Sequence, residues 1–226
     1  MRCGHRCNPA EMARGIFISF EGSEGGGKST QIALLESALQ ERGITVRRTR
    51  EPGGTLLGER LRDLLQHTPE LEDLCDEAEL LLFGASRAQL VREVIRPALE
   101  SGTWVIADRF LDSTTVYQGI GRGLGAGSVD AVNAVAVGTS RPDVTFLLDL
   151  DAATGHARAR AASGDRPDRI ENQPPAFFER IRAGYLDLAA ANPDRIVLID
   201  ASRPVAAVAD AIWKECERRF SHELHG

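Results

Sequence analysis

Cysteine is scarce in this 226-residue chain and badly spaced for a metal. Of Cys3, Cys7, Cys75 and Cys216 only the first two lie close together, flanking His5 in CGHRC. A zinc site needs about four ligands, and no second close pair completes one. Residues 1–14 are therefore expected to form a disordered leader, with Met12 in MARGIFISF as an alternative start. Long apolar runs are missing too. No stretch approaches the roughly 20 residues of a membrane span, and MRCGHRCNPAEMARG has no apolar segment for export, so the cytoplasm is the expected location and no membrane partner is expected. Nor is there an excess of positive charge: 27 Lys and Arg against 33 Asp and Glu leave a net charge of -6, which argues against a nucleic-acid-binding surface. The five histidines form no catalytic pairing. Neither an NKxD guanine-reading motif nor a DxxG switch occurs, which excludes a GTPase switch. Internal repeats and low-complexity linkers are also lacking. What remains, 42% apolar and 27% charged residues, is the composition of a soluble globular protein with one substantial domain, placed at 15–220.

Five short β-branched or aromatic runs read as buried strands: GIFISF (15–20), ITVRRT (44–49), TWVIAD (103–108), VTFLLDL (144–150) and RIVLID (195–200). Helical patterns lie between and after them at 28–42, 55–67, 76–101, 128–138, 151–162, 175–191 and 204–219. Strands alternating with helices imply an α/β fold with a parallel sheet covered on both faces. The segment 157–175, ARARAASGDRPDRIENQPP, has loop chemistry and dense charge, and reads as a surface excursion.

Between the first strand and first helix stands GSEGGGKST. Gly22, four residues, then Gly27, Lys28 and Ser29 form the spacing of a phosphate-binding loop. Glycines let backbone N–H groups converge on phosphate oxygens, and the helix N-terminus adds partial positive charge. Gly22, Ser23, Glu24, Gly25, Gly26, Gly27, Lys28, Ser29 and Thr30 are thus the candidate stretch for binding a nucleoside triphosphate. Lys28 can reach the outer phosphates and the Ser29 hydroxyl can ligate magnesium. The bland alternative, a flexible turn with a surface lysine, does not explain the strand before and the helix after.

Three more stretches bear on the acceptor. TREPGGT (49–55) and DRFLDSTTVYQG (108–119) each follow a strand, at the carboxyl edge where open α/β sheets bind ligands. Asp108 can hold a magnesium shell, and Arg109 can bridge a phosphate bidentately. LLFGASR (81–87) puts Phe83 and Arg87 on one helix face, spaced to grip the flat face and edge of a base, although a lone Phe is more often core.

Taken in this order the stretches FEGSEGGGKSTQ, TREPGGT, LLFGASR, DRFLDSTTVYQG and DRIE (168–171) resemble the thymidylate kinase family, from about Gly15 to about Phe220. The resemblance implies a three-layer P-loop NTPase fold whose five parallel strands run in the order 2-3-1-4-5. It also implies transfer of the ATP γ-phosphoryl group to dTMP, with Mg2+ as cofactor and a homodimer formed through the helix carrying LLFGASRAQLV. By that resemblance Lys28 and the loop amides hold ATP, with Ser29 and Asp108 near the metal. Glu24 sits by the sugar 3′-hydroxyl, and Arg50 and Arg109 clamp the dTMP phosphate. Phe83 stacks on thymine, Arg87 bonds its edge, Thr114 and Gln118 face the base, and Tyr117 lies against C2′. A cis bond at Glu51-Pro52 is left open. No arginine occupies the variable loop positions, so the catalytic arginine is expected from the lid at 157–175. Arg158, Arg160, Arg166 and Arg169 are candidates, with Arg166 favoured and Arg160 second. Asp149 and Asp151, after VTFLL, are a rival metal site, but Asp149 is read as serving the turn into the lid helix. The alternative activity is that of another P-loop deoxynucleotide or deoxynucleoside kinase, and the latter would require a general base.

Overall fold

The five apolar runs pair into one all-parallel sheet. The computed structural model describes residues 14–68, 73–163, 170 and 173–225. Its strands are β1 (Phe17–Glu21), β2 (Val46–Arg50), β3 (Trp104–Asp108), β4 (Val144–Asp149) and β5 (Ile196–Asp200), in the order β2-β3-β1-β4-β5. The order is the one expected. The three inner strands are buried along nearly their whole length, as strands covered on both faces must be. The edge strand β2 instead carries exposed Arg47 and Arg48, charges that blunt a free edge. Apart from Arg14, which pairs with Asp143 at 2.9 Å, the expected leader lies outside the described residues.

The helices are α1 (Lys28–Gln40), α2 (Leu56–His67), α3 (Asp76–Leu90), α4 (Arg96–Glu100), α5 (Leu111–Thr114), α6 (Ala126–Val137), α7 (Ala152–Ser163), α8 (Pro175–Ala191) and α9 (Val205–His225). The pattern read as one helix over 76–101 is α3 and α4 joined by a π-helical turn, Val91–Ile95. That turn falls just before Pro97, whose missing N–H deprives Glu93 of its i+4 donor. A helix not expected from the sequence follows β3: α5 continues as a π-helical stretch, Thr115–Gly121. Its sequence, LDSTTVYQGIG, is polar and β-branched and carries no 3.6-residue apolar rhythm. The last helix runs past the expected end at 219, through a non-helical Phe220, to His225.

Strand alternation sends core side chains to both faces of the sheet. Ile18 and Phe20 of β1, with Phe146 of β4, meet Ile32 and Leu35 of α1 and Ile212 of α9. Phe17, with Val105 and Ala107 of β3, faces Leu90, Ile95 and Phe110 on the other side. Phe17, Phe20 and Phe146 are fully enclosed, and truncating any one to alanine costs about 3–5 kcal/mol. This packing holds the carboxyl ends of β1, β2 and β3 side by side, so that Glu21, Arg50 and Asp108 reach one rim.

Candidate active site

At the end of β1 the backbone turns through positions that only glycine fits. At Gly25, φ is 72°, and a Cβ would lie 2.1 Å from the Gly155 carbonyl oxygen of α7. At Gly22, φ is 128°, and a Cβ would lie 2.4 Å from the Leu148 carbonyl oxygen. The loop is thus pressed against β4 and α7, with its other face open. Lys28 Nζ donates to the Gly22 and Ser23 carbonyls at 3.1 and 3.0 Å. Burial pushes its pKa down and Arg109 adds to the shift, while Glu24 and Asp108 oppose it. Ser29 Oγ donates to Asp108 Oδ2 at 3.3 Å, which brings a hydroxyl and a carboxylate to one spot beside the loop. Oxygen donors few enough to leave room for phosphate and water are what Mg2+ takes, so the expected metal pair fits that ion.

Arg109 follows Asp108 and has φ 68°, unusual for a residue with a side chain. Glu21 fixes this bend. Wholly buried, it accepts from Phe110 N at 2.8 Å, Ser113 N at 3.2 Å, Ser113 Oγ at 2.6 Å and Tyr185 Oη at 2.8 Å. The bend sends the Arg109 guanidinium to Glu24 Oε1 at 2.5 Å and to the Ser113 and Tyr185 hydroxyls at 3.1 and 3.2 Å. It also lies 5.2 Å from the Tyr117 ring centre. Burial works against the Glu24 charge, but Arg109 and then Lys28 outweigh it and hold the carboxyl at about 2.

The base side is built on α3. Arg87 is 1% exposed, which is rare for arginine, and every nitrogen is engaged. Nε and Nη2 donate to Glu51 Oε2 at 2.8 and 2.6 Å, Nη1 to Asn133 Oδ1 at 2.8 Å, and Nη2 also to Thr114 Oγ1 at 2.8 Å. Burial pushes Glu51 up to about 7 against the pull of Arg87. The Glu51-Pro52 peptide, left open by the sequence, is cis. Gln118 donates through Nε2 to Glu79 Oε1 at 2.7 Å. Arg50 differs from all of these, being half exposed and paired with Glu59 of α2 at 2.8 Å.

Residues 24–30 together with Arg50, Phe83, Arg87, Asp108, Arg109, Thr114, Tyr117 and Gln118 line one cavity of about 360 Å³. Gly22 and Ser23 stand behind it and present their carbonyls to Lys28. Arg160 is exposed on α7 and borders a separate small depression with Ser23 and Glu24. Arg166 and Arg169 lie outside the described residues. The reading of Asp149 is corrected: it bonds Arg182 of α8 at 2.7 Å, while Asp151 caps the start of α7 by accepting from Thr154 N at 2.9 Å. Asp151 lies one residue before α7, where a short carboxylate side chain reaches the free helix amides.

A family description, "Thymidylate kinase", matches residues 20–212. The chain belongs to the thymidylate kinase family. The thymidylate kinase of Deinococcus radiodurans is 48% identical over 209 residues, spanning 92% of this chain and 99% of that protein. That of Solidesulfovibrio magneticus is 50% identical over 205 residues, spanning 88% and 97%. The crystal structure of the thymidylate kinase from Ehrlichia chaffeensis superposes with a TM-score of 0.72 at 35% identity, covering 90% of this chain and 99% of that one. The family's P-loop NTPase fold is therefore that of this chain.

Several members of the thymidylate kinase site went unread in the sequence. Glu51, Arg62, Gln66 and Ser113 also line the cavity, and Glu21, Glu79, Asn133 and Tyr185 hold its side chains from behind. For Glu21 and Glu79 a signal existed: each is a carboxylate set in an apolar run, FISFE and AELLLF, where an unpaired charge would be costly. Asn133 and Tyr185 had none, since each meets its partner across more than 45 residues of chain.

Proposed function

We infer that this chain transfers the γ-phosphoryl group of ATP to dTMP, giving dTDP and ADP. One observation carries the reading. A single cavity has a phosphate loop at one end and, at the other, a buried arginine and a buried glutamine beside a phenylalanine. ATP phosphates lie on the loop amides and Lys28. The dTMP phosphate lies between Arg109 and Arg50. Releasing Arg50 from its exposed pair with Glu59 costs about 1 kcal/mol or less, which a dianionic phosphate readily repays in new bonds. Phe83 stacks on thymine, Arg87 bonds its edge with Thr114 beside it, and Gln118 faces the ring. Glu24 orders the 3′-hydroxyl, and Tyr117 closes the space at C2′.

The acceptor phosphate is itself the nucleophile, so the side chains align oxygens and offset charge, and no strong base is needed. Asp108 is an organiser beside Ser29. Ser29 and Asp108 would hold Mg2+, which would supply positive charge beside the transferring phosphates. We assign the arginine that reaches the transferring group to the lid, with Arg166 first and Arg160 second. Supporting this, no arginine occupies the variable positions of the phosphate loop, Ser23 to Gly26. Among the described residues no helix is long and apolar enough to cross a membrane, and we place the enzyme in the cytoplasm. A homodimer through α3 and α6 is proposed on Leu81 and Val135, which are 60% and 87% exposed on these two packed helices.

A coupled assay with ATP and dTMP, dUMP, dCMP or thymidine tests the reading. dTMP is expected to be the preferred acceptor and thymidine inert. Phosphorylation of thymidine but not dTMP would overturn it.

A further inference from the structure

We propose that Glu79 sets the base specificity of the acceptor site by fixing which end of the Gln118 amide faces the base. The inference rests on dTMP being the acceptor and adds a residue that touches no substrate. A glutamine amide has two ends of nearly equal size and opposite chemistry: the NH2 donates and the carbonyl accepts. Unless something holds it, either end can face a ligand. Gln118 is 2% exposed and lies in the π-helical stretch, where it lines the same cavity as Phe83 and Arg87. Its amide nitrogen is 2.7 Å from Glu79 Oε1. Glu79 is 1% exposed and ion-paired with Arg122, whose Nη2 lies 3.2 Å from Oε2 and whose Nε lies 3.3 Å from Oε1. Paired in this way it is a carboxylate, and carboxylate oxygens only accept. The contact can therefore be made by Nε2 alone, and chemistry settles the orientation.

The carbonyl end is left for the ligand. Gln118 Oε1 takes no hydrogen bond among the described residues and is not one of the enclosed atoms lacking a partner, so it keeps some exposure on a side chain that lines the cavity. An acceptor at that point selects a ring N–H. Thymine and uracil carry such a donor between two carbonyls. Neutral cytosine carries a bare ring nitrogen there, a second acceptor that would face Oε1 lone pair to lone pair. With the amide reversed the preference would reverse as well. Glu79 is thus a positioning residue that acts through Gln118, and Arg122 bonds both of its oxygens.

The test is kcat/KM for dTMP and for dCMP on wild type, Glu79→Gln, Gln118→Leu and the double variant. Glutamine at 79 keeps the shape but replaces one acceptor oxygen by a donor, so that either sense of Gln118 can be held. The dTMP-to-dCMP ratio is expected to fall about tenfold in Glu79→Gln, with KM for dTMP rising and kcat within about threefold. Both substrates are measured on one preparation, so loss of folded enzyme cancels. In the Gln118→Leu background the same change is expected to leave the ratio within about twofold. A Glu79→Gln ratio within about twofold of wild type, or a fall that persists without Gln118, overturns the proposal. In wild type alone, the Gln118 side-chain amide should give two well-separated, slowly exchanging proton signals in an NMR spectrum. A pair that exchanges like a free glutamine overturns it too. Wild type that leaves dTMP unphosphorylated contradicts the acceptor assignment itself, and is a separate result.

Discussion

At the end of the cavity that we assign to ATP the chain presents backbone: seven consecutive residues, 24–30, whose amides and glycines form the surface, with one lysine among them. At the proposed base end it presents side chains from α3, from the loop after β2 and from the helix after β3, with Arg87 and Gln118 held by the buried Glu51 and Glu79. A surface made of backbone is written contiguously, because its parts are successive peptide groups. A surface made of buried side chains is written in pieces. Arg87 alone is satisfied from positions 51, 110, 114 and 133. The ATP end therefore depends on conformation, and the base end on paired charge.

Four substitutions sharpen or break that contrast, in descending order of effect. Arg166→Ala should lower kcat by about 10³ while leaving dTMP binding intact, because an arginine on the transferring group acts only in the transition state. Steady-state kinetics with dTMP binding measured separately would expose a wrong assignment if kcat barely moved. Lys28→Ala removes the one side-chain cation of the loop and should cost about 10²–10³ in kcat. A change confined to the dTMP KM would mean that Lys28 belongs to the other end. Gly25→Ala tests conformation with no change of charge. The left-handed φ and the Gly155 carbonyl oxygen 2.1 Å from the new methyl should together cost about 2 kcal/mol of stability and raise the ATP KM. Chemical denaturation would show no loss if the loop relaxes freely.

The fourth concerns pH and the base end. Burial raises Glu51 from 4.5 to about 7 in the folded chain, so between these values the folded state holds a proton that the unfolded state has released. Its stabilising contribution is complete below about 4.5 and is lost as pH rises through about 7. The unfolding free energy of wild type relative to Glu51→Gln should fall over that window, by at most about 1.4 kcal/mol per pH unit. A flat difference would mean that Glu51 stays ionised beside Arg87 throughout.

The same contrast explains how much could be read from residues alone. The five strands and the phosphate loop were legible, because apolar β-branched runs and glycine spacing are local, whereas the strand order followed only from the family resemblance. Phe83, Arg87, Arg109 and Gln118 were legible only as a set in the right sequence order, and all four do line the cavity. The helix after β3 was not, since LDSTTVYQGIG earns its helicity from packing: Val116 and Tyr117 sit against Phe177, Ile181 and Tyr185 of α8. Nor was the second layer of carboxylates. Glu21, Glu51 and Glu79 hold the cationic and amide side chains in place from within the core, and their partners follow from topology.

The most direct test of the contrast is calorimetric binding of dTMP and of a non-hydrolysable ATP analogue to Arg87→Lys. Lysine keeps the charge but cannot reach Glu51, Asn133 and Thr114 at once with a single ammonium. The dTMP Kd is expected to rise about tenfold or more, with the ATP-analogue Kd within about twofold of wild type. Equal weakening of both ligands would contradict the separation of a backbone-built ATP end from a side-chain-built base end.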